Sequence, residues 1–339
     1  MNPVPPPGAV GYFRSAFCIG NRHIQNRVVL APMAGITTQA FRVHVKRYGV
    51  GLVYSEMASC YGLLYANSRT AHYVEVSEEE RPVGVQLFGD DPSVLSEAVR
   101  LVLERERRPD LIDLNLGCPA KKVVKTGAGA ALLRDPARAV EVAGAVVTRA
   151  AAFGVPVTVK LRSGPDPDHI VAPELAPRLE AVGVAALGVH PRAATQFYRG
   201  RADHEVTARV VEAVSIPVLA SGDIDSFRAA SQVVEATGAA AVMVARGVLG
   251  DPFLVRRILH GHDELDPSPT ELVEDLRALY QATLESMGER RAVPWMRKHV
   301  AWHLRRAGVR GADIEKLMRL RSSAEVDEAL RSLGAVGEG

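Results

Sequence analysis

Cys118 sits in Asn115-Leu116-Gly117-Cys118-Pro119, between a short apolar run and a loop carrying Lys121, Lys122 and Lys125. A thiol beside cations can have a lowered pKa and be reactive. As a nucleophile it would need a partner base, and no neighbour in sequence supplies one. As a general acid it needs only a proton held at the right place. Other polar residues recur at the ends of short apolar runs: Gln86, Lys160 with Arg162, His190 with Arg192, Ser221-Gly222-Asp223 and Ala245-Arg246-Gly247. Lys160 would favour electron density on a ring, and His190 could hydrogen-bond the same ring system. Glycine lets a backbone approach closely, and a helix N-terminus beside Arg246 favours an anion.

Positioning these residues takes a repeating scaffold. Eight β-branched runs alternate with helical patterns, at 28–32, 51–55, 83–88, 111–115, 156–161, 185–190, 216–221 and 241–246. Most are continuously apolar, as expected of parallel strands covered on both faces. Helical stretches lie between them, among them 93–105, 136–151 and 226–237, with Asp135-Pro136 and Asp225 as N-cap signals. The repeat predicts a (β/α)8 TIM barrel in the α/β class, with a doubly wound sheet as the structural alternative. In a barrel, function gathers at the C-terminal ends of the strands, and strands seven and eight form the usual phosphate site. The polar residues fall at those ends, including Pro32, Met33 and Ala34 after strand one. Together they suggest a planar heterocycle bearing one phosphate, and FMN fits. Gly127-Ala128-Gly129 is followed by Leu132 where a dinucleotide fingerprint needs glycine, so no Rossmann motif is present.

The bulk numbers set limits. The chain has 339 residues, 41 Lys and Arg against 39 Asp and Glu, and a net charge of +2. No run of about 18 apolar residues suggests a membrane span. The proline-rich N-terminus lacks the basic and apolar regions of a signal peptide, so a cytoplasmic protein is expected. The three cysteines, Cys18, Cys60 and Cys118, are widely spaced with no CxxC pair. Structural zinc or a disulfide framework is not expected, and Cys18 and Cys60 read as buried and inert. No metal is expected.

The strand repeat stops near Ile258, and 263–270 reads as a linker. The expected domains are therefore a catalytic barrel over 1–262 and a helical domain over 263–339, with helices at 271–287, 294–307, 313–320 and 324–333. A short hairpin within 17–26 would plug the barrel bottom. Between Arg290 and Arg310 lie seven Lys or Arg and no acid, together with both tryptophans, Trp295 and Trp302. This reads as a local cationic patch in which Arg297, Lys298, Arg305 and Arg306 could pair with phosphates. Lys121, Lys122, Lys125, Arg192, Arg199 and Arg201 would extend it to the barrel mouth. The tryptophans are seven apart and share a helix face, which favours core packing over base stacking.

These residues resemble the tRNA-dihydrouridine synthase family. Asn115 to Pro119, continuing through Lys122-Val123, Gly127, Gly129-Ala130 and Leu132-Leu133, is the specific part. Ala31 to Gly35 with Phe41-Arg42, Ser55-Glu56-Met57, Val85-Gln86-Leu87, Gly222-Asp223-Ile224 and Ala245-Arg246-Gly247 also fit, and Arg297-Lys298-His299 with Trp302 is similar to the C-terminal domain of bacterial members. The resemblance covers roughly residues 15–310. It implies reduction of the C5–C6 bond of uridines in tRNA, with NADPH as reductant, hydride from flavin N5 and a proton from Cys118. It implies FMN contacts from Pro32, Met33, Ala34, Gln86, Lys160, His190, Ser221, Gly222, Asp223, Ala245 and Arg246. Asn115, Lys122, Arg162, Arg192, Arg297 and Lys298 are the expected substrate-binding residues, and the protein is expected to act as a monomer on tRNA. The chain departs from the family pattern at Ser221, where many members have Asn, and at Pro191, which removes a backbone donor from the loop after strand six. A stacked uridine would have to flip into the barrel mouth. The competing readings are an FMN-dependent barrel reductase of a small enone or pyrimidine, and a non-catalytic RNA-binding protein.

Overall fold

The structure, a computed structural model, describes residues 10–335. The proline-rich stretch read at the N-terminus lies outside them, except for Val10. The chain enters the barrel through an antiparallel hairpin, β1 (Phe17–Ile19) and β2 (Arg22–Ile24). The barrel strands follow as β3 (Val28–Leu30), β4 (Leu52–Tyr54), β6 (Val83–Phe88), β7 (Leu111–Leu116), β8 (Val157–Arg162), β9 (Ala186–His190), β10 (Val218–Ser221) and β11 (Ala241–Val244). A two-residue strand, β5 (Ala58–Ser59), adds to β6 alone. All barrel pairings are parallel, and β11 pairs with β3 while β4 pairs with β6, which closes the ring.

Side chains alternate across each strand even though the sequence does not. Val29, Leu52, Tyr54, Leu111, Ala186, Leu219, Ala241 and Met243 face inward and pack with Phe17, Ile19 and Ile24 of the hairpin. The hairpin is therefore the plug expected at the barrel bottom. Val28, Leu30, Val53, Val83, Val85, Ile112 and Leu114 face outward into the layer shared with the helices. Both faces are buried, so the sequence reads as one apolar run.

The helix Pro136–Ala151 is capped by Asp135, whose carboxylate accepts the Arg138 N–H. The helix Phe227–Thr237 is capped one residue later than expected, because Ser226 Oγ rather than Asp225 accepts the Ala229 N–H at 3.0 Å. After the strands the chain forms helices Pro269–Met287, Glu289–Arg306, Gly311–Met318 and Ser323–Ala335. The first starts at Ser268, which forms a capping box with Glu271, so the expected linker ends early. The second contains Pro294, where the sequence suggested a start. No helix among the described residues is long and apolar enough to cross a membrane.

Helices Pro269–Met287 and Glu289–Arg306 pack back on the barrel helix Gln39–Lys46. Buried Asp275 holds this junction: His303 Nε2 lies 3.0 Å from its Oδ2, His44 Nε2 lies 2.6 Å from its Oδ1, and the Tyr48 hydroxyl donates to Oδ1. His303 Nδ1 also donates to the His299 carbonyl at 2.8 Å. Burial works against the Asp275 charge, but the hydrogen bonds from His303 and His44 outweigh it and hold the carboxyl well below its usual range.

Candidate active site

A cavity of about 770 Å³ opens at the C-terminal ends of the barrel strands. That is within the roughly 300–1,000 Å³ typical of cofactor sites. Every expected cofactor contact lines it: Pro32, Met33 and Ala34 after β3, Gln86 on β6, Lys160 on β8, His190 on β9, Ser221, Gly222 and Asp223 at the end of β10, and Ala245 and Arg246 after β11. Cys118, Asn115, Lys122 and Arg162 line it too.

Cys118 lies two residues beyond β7. Its N–H donates to Asn115 Oδ1 at 2.9 Å, and its carbonyl accepts the Ala130 N–H at 3.1 Å. Gly129 permits that close return, because at φ +61° a Cβ there would lie 2.8 Å from the Cys118 carbonyl. Within the loop, Lys121–Val124 is a helical turn anchored by buried Val123. The thiol is not lowered as the nearby cations suggested. Burial raises its pKa, against the Ala120 N–H and the charges of Arg162 and Lys122. Cys118 therefore carries its proton at neutral pH, as a donor must.

Lys160 makes no protein hydrogen bond or ion pair among the described residues. Burial, reinforced by Arg162, pulls its ammonium down to about 8 against the opposing charge of Asp113. A half-buried cation without a protein partner fits an electron-rich ligand atom. His190 is driven down to about 2 by burial and by Lys160, Arg162, Arg192 and Arg246, so it is neutral. Its Nε2 lies 3.3 Å from Arg192 Nη1, which can only donate, so the ring proton is on Nδ1. Gly222, at φ +117°, brings its backbone against the His190 ring, where a Cβ would sit 3.0 Å from Cδ2. Arg246 is about half exposed, with Tyr198 stacked on its guanidinium at 4.5 Å.

Two expected substrate-binding residues, Arg192 and Lys298, are committed to contacts within the protein. Arg192 is 2% exposed and does not line the cavity; its donors go to the Arg199 and Gly200 carbonyls, to His190 and to both Asp223 oxygens. It is a structural clamp, and it also fixes Asp223. Burial opposes the Asp223 charge, but the Ala202 N–H and Arg192 prevail and hold that carboxyl below its usual range. Lys298 donates to the Gly35 carbonyl and covers the Trp295 ring at 4.4 Å, so it ties the C-terminal helix to the loop after β3. Glu56 accepts the Gly35 N–H in the same clasp. Arg297 is exposed on the same helix, away from the cavity. Arg162 lines the cavity but is 3% exposed, with donors on the Gly117 and Ala193 carbonyls.

The cationic stretch is partly neutralised in space. Arg306 meets Asp266 at 2.7 Å and Asp251 at 3.2 Å, and Arg310 meets Asp313 at 2.9 Å. Arg290, Arg291, Arg297 and Arg305 are exposed without an ion pair among the described residues. The tryptophans pack around buried His299, Trp295 stacked at 4.5 Å and Trp302 edge-on at 5.2 Å. Trp302 also reaches the cavity, as do Phe197 and Tyr198, which no motif or spacing singled out. Cys60 is buried, with burial pushing its thiol up to about 12. Cys18 is exposed on the hairpin, contrary to expectation.

The family profile described as dihydrouridine synthase (Dus) matches residues 29–332. The chain belongs to the dihydrouridine synthase family. Its members are flavin-dependent oxidoreductases. It is similar to a tRNA-dihydrouridine synthase B of Pseudomonas aeruginosa, 40% identical over 291 residues, covering 84% of this chain and 86% of that one. A probable tRNA-dihydrouridine synthase of Rickettsia bellii is 39% identical over 290 residues, covering 84% and 87%. Among solved structures, morphinone reductase superposes with a TM-score of 0.55 at 16% identity, covering 78% of this chain and 93% of that one. Histamine dehydrogenase from Rhizobium sp. 4-9 gives 0.58 at 13% identity, covering 80% and 51%. These two likenesses are of fold.

Proposed function

We propose that this chain reduces the C5–C6 double bond of specific uridines in tRNA, using FMN recharged by NADPH, and acts as a monomer on its tRNA. The observation that carries the reading is a protonated Cys118 thiol on the wall of a cavity that also holds Lys160, which has no partner among the described residues, a neutral His190 and an exposed Arg246. Bound FMN would supply the hydride. Lys160 and the Nδ1–H of His190 suit the electron-rich edge of its ring, Gly222 gives its chain a close backbone, and Arg246 suits its phosphate.

The protein's own part is to place the base and deliver a proton. Asn115 sits beside Cys118 and lines the same cavity, where it can hold the uracil edge. Cys118 keeps its proton through neutral pH and gives it to C5. Lys122 lines the same cavity and suits the anionic strand that enters with the base, while Arg162, held on the Gly117 and Ala193 carbonyls, adds positive charge to the wall. The extruded base costs a few kcal/mol of stacking, which interactions with phosphates would offset. Arg290, Arg291, Arg297 and Arg305, exposed in the 290–310 stretch without an ion pair among the described residues, are the better candidates for that role. The helical region from residue 263 is thus the tRNA-binding part and the barrel the catalytic one.

Mapping dihydrouridine position by position in tRNA, from cells with and without the gene, tests the reading. Loss at defined sites is the expected result. No change at any site, without a second gene of the same kind, would leave a flavin reductase of a smaller substrate.

A further inference from the structure

Beneath the cavity, two lines of hydrogen bonds converge on Asp113, an inward-facing residue of β7 that is 2% exposed. On one side Thr158 Oγ1 donates to Oδ1 at 2.6 Å, and Tyr54 Oη lies 3.2 Å from Thr158. The Thr158 proton is spent on the carboxylate, so Tyr54 is the donor in that pair. On the other side the order is dictated by the backbone. The N–H groups of Gly117 and Cys118 point at Asn115 Oδ1 at 3.1 and 2.9 Å. A backbone N–H can only donate, so Asn115 must present oxygen there. Its Nδ2 then faces Gln86 Oε1 at 2.9 Å, and Gln86 in turn presents Nε2 to Asp113 Oδ2 at 2.6 Å. Residue 113 has to accept from both sides, and an ionised carboxylate does only that.

We propose that Asp113 is a positioning residue: as the shared acceptor of both lines it fixes the amides of Gln86 and Asn115 and, through Asn115, the backbone turn that carries Cys118. The role rests on the reading of Cys118 as the acid, but the geometry it sets can be measured without turnover. Gln86 and Asn115 both line the cavity, so their amide faces decide which edge of a ring they can meet. Burial pushes the Asp113 carboxyl up to about 7, against the hydrogen bonds from Thr158 and Gln86 and the charge of Lys160. Those groups limit the rise, and the purely accepting, ionised form prevails above about pH 7.

The acid and the amide can be exchanged without changing the pattern. In the pair Gln86→Glu with Asp113→Asn, the new Asn accepts from Thr158 and donates to the new Glu, whose other oxygen accepts from Asn115. Every donor of the two lines keeps an acceptor, and only the second N–H of the new Asn is added without one. In Asp113→Leu both lines lose their end.

The test is hydrogen exchange of the Gly117 and Cys118 amides in the full chain as purified, beside tRNA turnover. Asp113→Leu is expected to speed exchange at both amides about tenfold or more, the scale of losing a charge-assisted hydrogen bond. It should lower kcat about tenfold, with KM for tRNA within about threefold. The acid–amide pair should stay within about threefold of the parent in exchange, and Thr158→Val, which cuts only the other line, should match the parent. Asp113→Leu exchanging at the parental rate would overturn the proposal, as would the pair or Thr158→Val exchanging as fast as Asp113→Leu. If Asp113→Leu does not fold, the folded pair decides: a protected turn supports the role and a loosened one overturns it. A parental chain that reduces no uridine but shows this exchange pattern would fail the functional reading and leave the positioning role standing.

Discussion

The Cys118 N–H donates to Asn115 Oδ1 at 2.9 Å, so the thiol and the amide beside it are held as one unit on the turn after β7. Because the thiol is buried enough to be raised above its ordinary range, it is a proton store rather than a thiolate. Cys118→Ala is expected to bind flavin and tRNA as the parent does, with turnover lower by about 100-fold or more, the scale of general-acid loss. The pH profile carries the sign. The acid is competent while protonated, so parental turnover should fall only as pH climbs through the raised thiol value, and the variant should lack that limb. Near-parental turnover in Cys118→Ala, measured on tRNA substrate, would remove the acid role.

Lys160 is costly to the empty protein and useful to the loaded one. Its ammonium is lowered from 10.5 to about 8, so the folded chain holds that proton less tightly than the unfolded chain does. The resulting destabilisation is fully present below about pH 8 and fades as pH rises toward 10.5. Lys160→Met should therefore raise the melting temperature of the flavin-free protein at pH 7, by a contribution on the order of 1–3 kcal/mol. The same change should weaken FMN binding about tenfold to a hundredfold, since a charged hydrogen-bond donor is removed. Titration of both proteins with FMN, beside melting curves without it, checks the pair of signs; flavin affinity unchanged by the substitution would detach Lys160 from the cofactor.

Much of this site could be read from residue order because a barrel converts strand ends into one rim. Gln86, Lys160, His190, Ser221 and Arg246 are spread over 161 positions, yet each lies in the C-terminal half of a strand or just after it, so closing the ring brings them to one cavity. What the sequence hid depends on partners that only folding supplies. Arg192 looks as available as Arg246 until Asp223 arrives from β10. The run from Arg290 to Arg310 has no acid of its own, but Asp251 and Asp266 fold against Arg306. Asp113 lies inside an apolar run and reads as one polar interruption, whereas in space it ends two hydrogen-bond lines. Cys118 has lysines for sequence neighbours, but its burial outweighs their charge.

The division among the C-terminal cations gives a salt-dependence prediction. Arg297 and Arg305 are exposed without an ion pair among the described residues, while Lys298 is committed to Gly35 and Trp295. Removing one cation that pairs with a phosphate should flatten the slope of log K against log salt by about 0.7–0.9. Changing Arg297 and Arg305 to Ala should therefore flatten it by about 1.5 for tRNA. Lys298→Ala should leave the slope within about 0.3 of the parent and instead lower thermal stability, because it opens the clasp on the loop after β3. Filter binding across salt concentrations separates the two, and an unchanged slope in the double variant would take those arginines out of the RNA interface.

Asp275 tests what joins the helical region to the barrel. It is 6% exposed and receives His303, His44 and Tyr48, groups from the chain's two parts. Removing the carboxylate leaves these donors facing each other in a buried space, which typically costs about 3–5 kcal/mol. Asp275→Ala should therefore lower the urea midpoint strongly at pH 7. Because the folded carboxyl is depressed below its unfolded value near 3.8, its stabilisation is present above that value and fades as pH falls below it. The difference between parent and variant should accordingly shrink on acidification below about pH 4, a region set by the ordinary Asp value. A variant with the parental midpoint at pH 7 would mean that the apolar packing of helices Pro269–Met287 and Gln39–Lys46 holds the junction without this carboxylate.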